Sequence, residues 1–299
     1  MLATEVSTED AFSSIVAGGK NPTDPPGLHV MMWSYFDDSG DNERKRYVAC
    51  GGLIGGEAHW NKSGFITEWA VATRNLKEPF RSSDCEGGHG QFADWDKPDR
   101  DALMARLVSI VIAKEIHGYA SVVPVDLYKK VFPDSDDLAP YLLAVTSTII
   151  VVANLAGLQH DSFGFGAMKC WFEAGDRRVM TATFQRYLEL KALKAWRRSA
   201  LLADSPDFAG KELWQLQAAD LIAREGFKHF DNLGVRDTRI PTRRMAHLIN
   251  FARWNQATLE YLRANGGPNN LELLTSAWYQ DAAAPYPKAP DFDIFCKAE

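Results

Sequence analysis

The sequence predicts an α/β fold in which helices flank a sheet and further helices follow at the C-terminal end. Short apolar, β-prone runs recur at residues 30–36, 47–54, 116–123 and 167–172. Longer stretches with apolar residues at helical spacing fall between and after them. Hydrophobic content of 46% and charged content of 24% suit a packed chain, and 299 residues can bury a large core. The expected organisation is an arm over 1–27, a main domain over 28–235, and a C-terminal helical extension and tail over 236–299.

Taken in order, residues 1–27 are polar and end in a proline-rich stretch, Asn21 to Gly27, that holds neither a helix nor a central strand. Residues 30–36 (VMMWSYF) carry bulky apolar side chains on both alternating faces, which predicts a strand covered on both sides. It runs into Asp37-Asp38-Ser39-Gly40. Residues 47–54 (YVACGGLI) predict a second strand, paired with the first as a hairpin, with glycines where another backbone comes close. A helical pattern through Trp60, Ile66 and Trp69 follows, then a short segment, Phe80 to Glu86, with two acids. The glycine run at 87–90 lacks the Lys-Ser or Lys-Thr of a phosphate-binding loop.

Asp99 and Asp101 open a helix through Leu103, Leu107 and Ile110, and 116–123 reads as a strand. Residues 125–140, rich in Asp and Pro, read as a solvated connection. Tyr141 to Leu158 approaches membrane-spanning length, but Thr146, Ser147, Thr148 and Asn154 interrupt it and no basic cluster flanks it, so a buried helix is expected. The strand at 167–172 ends in Glu173-Ala174-Gly175-Asp176. A helix over 177–196 should turn Met180, Phe184 and Tyr187 inward and Arg186 outward, with a short strand at 199–202. The helix over 212–230 places Leu216, Ala219, Ala223, Phe227 and Phe230 on one stripe with Asp220 at its border. Two helical patterns follow, through Met245, Leu248 and Ile249 and through Leu259 and Leu262, and then a loop-like tail.

A net charge of −6 argues against a protein that coats nucleic acid nonspecifically, while leaving room for a local basic face. Cys50, Cys85, Cys170 and Cys296 are scattered, without a Cys-x-x-Cys pair, and read as reduced thiols of a cytoplasmic protein. The N-terminus lacks a basic segment followed by an apolar one, so secretion is not expected. No Gly-x-Ser-x-Gly elbow supports a serine hydrolase.

The chemistry rests on acids. Asp37 follows a buried strand, and a carboxylate there is costly unless paired, protonated or bound to a cation. Asp-Ser-Gly is also ordinary turn chemistry, so the residues by themselves leave both readings open. Glu173 ends a second core strand and Asp220 borders a packed helix face.

Asp37-Asp38-Ser39-Gly40, Tyr47-Val48 with Gly51-Gly52-Leu53-Ile54, and Gln217-Ala218-Ala219-Asp220-Leu221-Ile222-Ala223 together resemble the domain-of-unknown-function family 3800, a ribonuclease H-like group. The family's first motif usually reads Asp-Glu-Ser-Gly, and Asp38 departs from it. The resemblance implies a ribonuclease H-like mixed sheet flanked by helices, and a nuclease acting on nucleic acid in defence or mobile-element biology. It implies two Mg2+ or Mn2+ ions, with Asp37 bridging both, Glu173 and Asp220 each fixing one, and Asp38 and either Asp84 or Glu86 as further candidate ligands. Two such ions stabilise the entering and leaving oxygens of a phosphodiester displacement. Gln217 would orient the Asp220 carboxylate or a bound water, while Arg177, Arg178, Lys194 and Arg197 are candidate contacts to the substrate backbone. A noncatalytic scaffold with one carboxylate turned away, and a metal-free acid/base hydrolase using two carboxylates, are the alternatives.

Overall fold

The computed structural model describes residues 31–40, 46–60, 64–163, 166–233, 236–279 and 291–295. The expected N-terminal arm and Cys296 lie outside them. Among the described residues, seven strands form one mixed sheet in the order β5-β4-β1-β2-β3-β6-β7. They are β1 (Met32–Gly40), β2 (Tyr47–Gly56), β3 (His117–Pro124), β4 (Met168–Glu173), β5 (Asp207–Ala209), β6 (Ile249–Arg253) and β7 (Asp293–Phe295). β1, β2 and β3 are successively antiparallel, β4 adds parallel to β1, and β5 adds parallel to β4. β6 lies parallel to β3 at the other flank, and β7 closes antiparallel on β6.

The helices are α1 (Glu57–Trp60), α2 (Phe65–Thr73), α3 (Ser82–Gly87), α4 (Lys97–Ala113), α5 (Val125–Val131) and α6 (Ala139–Phe163). After β4 come α7 (Arg177–Ala192), α8 (Trp214–Asp231), α9 (Ile240–Met245), α10 (Gln256–Ala264) and α11 (Leu271–Tyr279).

Strand alternation sorts the core into two layers. Phe36, Val48, Cys50 and Ile54 face Ile149 and Ile150 of α6. Tyr35, Ala49 and Leu53 face Leu216, Ala219 and Ile222 of α8, with α2 and α4 packed beyond. Helix α6 is long and apolar enough to cross a membrane, yet 78% of its most apolar window is buried inside the fold. Two of the polar residues that interrupt it bond to the sheet: Thr148 Oγ1 lies 3.0 Å from the Cys50 carbonyl, and Ser147 Oγ lies 2.7 Å from Ser121 Oγ. A core helix needs such partners, and this weighs against a membrane location.

Several elements differ from the sequence reading. β1 runs through Asp37 and Asp38 instead of ending before them, because Ser39 and Gly40 still pair with Ala49 and Val48. Part of the connection expected at 125–140 is helix α5, which buries Tyr128 and Val131. Residues 197–201 form a 3-10 turn, and the edge strand comes later, at β5. Ile249, expected on a helix, starts β6, so the C-terminal segment supplies a strand as well as helices, and part of the expected loop-like tail is α11. Arg186, expected outward, is buried, and its guanidinium reaches Asn269 Oδ1 at 2.8 Å. A long stem can bury itself while its head finds a polar partner in a neighbouring loop.

Gly51 explains how close α8 comes to the sheet. A Cβ on Gly51 would lie 2.5 Å from the Ala223 backbone nitrogen and 2.9 Å from the Ala219 carbonyl oxygen. Neither backbone atom can swing aside as a side chain would. Gly51→Ala is therefore expected to cost about 3 kcal/mol, read as a lower urea midpoint at unchanged slope. An unchanged midpoint would show that α8 is free to retreat.

Candidate functional site

Gly51 stands opposite Asp37 in the β1–β2 ladder, so the close approach of α8 brings Asp220 beside Asp37. Glu173, at the end of β4, is the third acid. All three converge on a side chain the sequence reading did not consider, Lys211. Its Nζ lies 2.8 Å from Asp220 Oδ1, 3.0 Å from Asp37 Oδ2 and 3.7 Å from Glu173 Oε1. The Lys211 side chain is 4% exposed and that of Asp37 is fully buried. The contact to Asp37 Oδ2 is an ion pair, and among the described residues that oxygen makes no hydrogen bond of good geometry.

Each shift at this site has a physical cause. Burial pushes the Asp37 carboxyl well above the usual carboxylate range; Lys211 opposes this, while Asp220 and Glu173 add to it by repulsion. Burial would lower the Lys211 ammonium, but Asp220, Asp37 and Glu173 outweigh it and hold the group charged. One ammonium therefore offsets only part of the negative charge gathered around it.

Supporting contacts fix the cluster. The Ser82 amide, at the start of α3, donates to Asp220 Oδ2 at 2.6 Å, and the Asp38 amide donates to Asp37 Oδ1 at 2.7 Å. Gln217 was expected to orient Asp220. Instead its Nε2 donates to the Lys211 carbonyl at 2.6 Å, and its Oε1 accepts from Trp69 Nε1 at 2.8 Å. One turn before Asp220, it reaches the loop in front of the helix and so positions the lysine.

Asp38, one residue along the strand from Asp37, belongs to the opposite face. Both acids line a cavity of about 280 Å³ with Glu173, Arg81, Phe36 and Phe172. Arg81 Nη1 lies 3.7 Å from Glu173 Oε1, and the Phe36 and Phe172 rings stack at 4.7 Å between centroids. Arg177 and Arg178 line a larger adjoining groove of about 990 Å³, which shares Asp176 with the first. Arg178 is held there by a two-pronged contact to Asp136 at 2.9 and 2.8 Å. Lys194 and Arg197 are exposed and line neither space.

Asp84 is not among the carboxylates that meet Lys211 and does not line the cavity. Glu86, in the same short helix, belongs to a second ionic cluster. It accepts from Arg224 at 2.6 Å and from Arg239, whose guanidinium also grips the buried Glu225. Burial would raise Glu86, but Arg239, Arg224 and Lys228 prevail and lower it. A lowered folded value means stability present above the unfolded range of about 4.3 and lost as pH falls through the folded value. Glu86→Gln is expected to cost about 2–3 kcal/mol at pH 7 and to flatten the acid limb of a stability–pH curve. A parallel acid limb in the variant would contradict this.

Among the described residues, no group of three or more His, Cys, Asp or Glu side chains is spaced to hold a metal ion. At the acid cluster the ammonium of Lys211 stands where the carboxylates meet. Comparison of the chain with protein-family models and with curated proteins finds no match.

Proposed function

We propose that this chain is a divalent-metal-dependent nuclease that hydrolyses phosphodiester bonds on a ribonuclease H-like fold. The observation that carries this reading is the convergence of Asp37, Glu173 and Asp220, drawn from two strands and a helix far apart in sequence. Asp37 and Glu173 lie toward the C-terminal ends of the adjacent parallel strands β1 and β4. Open α/β sheets place their ligands there, where the strand order reverses.

By its chemistry, though not by its present spacing around Lys211, the donor set suits Mg2+ or Mn2+. It is all carboxylate oxygen, it carries more negative charge than Lys211 offsets, and it includes the fully buried carboxylate of Asp37. Asp37, Glu173 and Asp220 would hold the cation, with Asp38 at the wall of the adjoining cavity. A bound divalent ion supplies charge neutralisation for the pentacovalent phosphate and lowers the pKa of water. Lys211 keeps the carboxylates drawn together, and Gln217 keeps Lys211 in place. Arg81 offers a positive group to a phosphate at the cavity, and Arg177 and Arg178 extend positive charge along the adjoining groove. The stacked rings of Phe36 and Phe172 give the same cavity an apolar wall. The partner is accordingly a nucleic acid. Buried free thiols at Cys50, Cys85 and Cys170 favour the cytoplasm.

Lys211 itself favours a second reading, a noncatalytic scaffold in which the ammonium serves as the counter-ion and no metal is needed. A Mg2+ and Mn2+ titration on labelled single- and double-stranded DNA and RNA separates the two. Cleavage that is lost in folded Asp37→Ala and Asp220→Ala is the expected result. No cleavage by the wild type with either ion would favour the scaffold.

A further inference from the structure

We infer that Lys211 takes the place of one cation in the acid cluster, so that the site binds a single divalent ion and not a pair. The inference rests on the proposed metal site and deepens it. Its basis is position. The ammonium sits within 3.0 Å of both Asp37, the carboxylate that a pair of ions would share, and Asp220, which would fix one of them. An ammonium and a divalent ion cannot occupy one point, and their like charges repel strongly in a buried setting.

Lys211 is not free to leave. Its side chain is almost wholly buried, and its backbone carbonyl is held by Gln217, which is itself fastened by Trp69. A lysine that merely paired with surface acids would keep its head in water.

Charge points the same way. Once a cation has displaced the proton that burial favours on Asp37, the carboxylates of Asp37, Glu173 and Asp220 carry three negative charges against the single positive charge of Lys211. The remainder matches one divalent ion, and a second would leave the buried cluster positive. The fully buried Asp37 Oδ2 is the oxygen best prepared to accept that ion, with Asp220 beside it as a further ligand. Glu173, whose side chain is 21% exposed and borders the cavity, gives the ion its outer ligand.

The test is a count of tight Mn2+ sites by isothermal titration calorimetry, with free Mn2+ followed by electron paramagnetic resonance. The wild type is expected to bind one ion, and Asp220→Ala none. Lys211→Met, its fold checked by circular dichroism in Mn2+, is expected to bind two, while Lys211→Arg keeps the charge and should bind one. Two tight ions in the wild type overturn the inference and leave the proposed metal site standing. No tight ion in the wild type overturns both. One ion in both the wild type and a folded Lys211→Met shows that the lysine displaces nothing, and overturns the inference. Should Lys211→Met not fold, the wild-type count decides between one ion and two.

Discussion

Replacing Lys211 by methionine is expected to cost about 3–5 kcal/mol of folding stability at pH 7 in the absence of divalent ions. The cost comes less from the lost attraction than from what remains: Asp37 and Asp220 would be left buried beside each other with no compensating charge. Two further observations would tie the loss to charge and not to shape. Lowering the pH should restore stability, because protonating a buried carboxylate removes the repulsion. Saturating Mn2+ should restore it as well, because a ligand that binds only the folded state stabilises that state. A variant destabilised equally at pH 5 and pH 7 would place the effect in packing.

Asp37→Asn is expected to move stability and activity in opposite directions. In the metal-free protein the folded state favours the neutral form of Asp37, through burial and the repulsion of Asp220 and Glu173. Its folded pKa therefore lies above the unfolded value of about 3.9. The folded state then binds more protons than the unfolded one between those two values, so stability falls as pH rises through the folded pKa. A neutral amide of the same shape removes that loss and should raise metal-free stability at pH 7 by about 1 kcal/mol. The same change removes a cation ligand, and cleavage should fall by roughly 10³-fold with loss of the stabilisation by Mn2+. A purely structural acid predicts the reverse for stability: losing the Lys211 contact would weaken the fold and leave metal response unchanged.

The parts of the fold legible in the sequence were those with strong periodicity. The apolar run ending in Asp37, the glycine-bearing partner strand and the Asp220 helix all lie where spacing and composition put them. The acids could be named because a carboxylate at the border of an apolar face is unusual in itself. What stayed hidden depended on tertiary neighbours. Lys211 precedes its helix in an irregular segment, where lysine ordinarily faces solvent; only the meeting of three distant acids makes a buried ammonium favourable there. Helical spacing locates Gln217 on its helix but not its partner, the Lys211 carbonyl, because periodicity gives a side chain's direction and not the loop it meets. β6 escaped notice because five residues are too few for alternation to outweigh the helical spacing of Met245, Leu248 and Ile249, and pairing with β3 decides their conformation.

The most direct measurement is anomalous diffraction from crystals soaked in Mn2+, with data collected at the manganese edge. The account predicts an anomalous peak bound by the carboxylates of Asp37, Glu173 and Asp220, with the Lys211 ammonium retained beside it. Strong manganese peaks elsewhere on the molecule, with none among these three side chains, would contradict it.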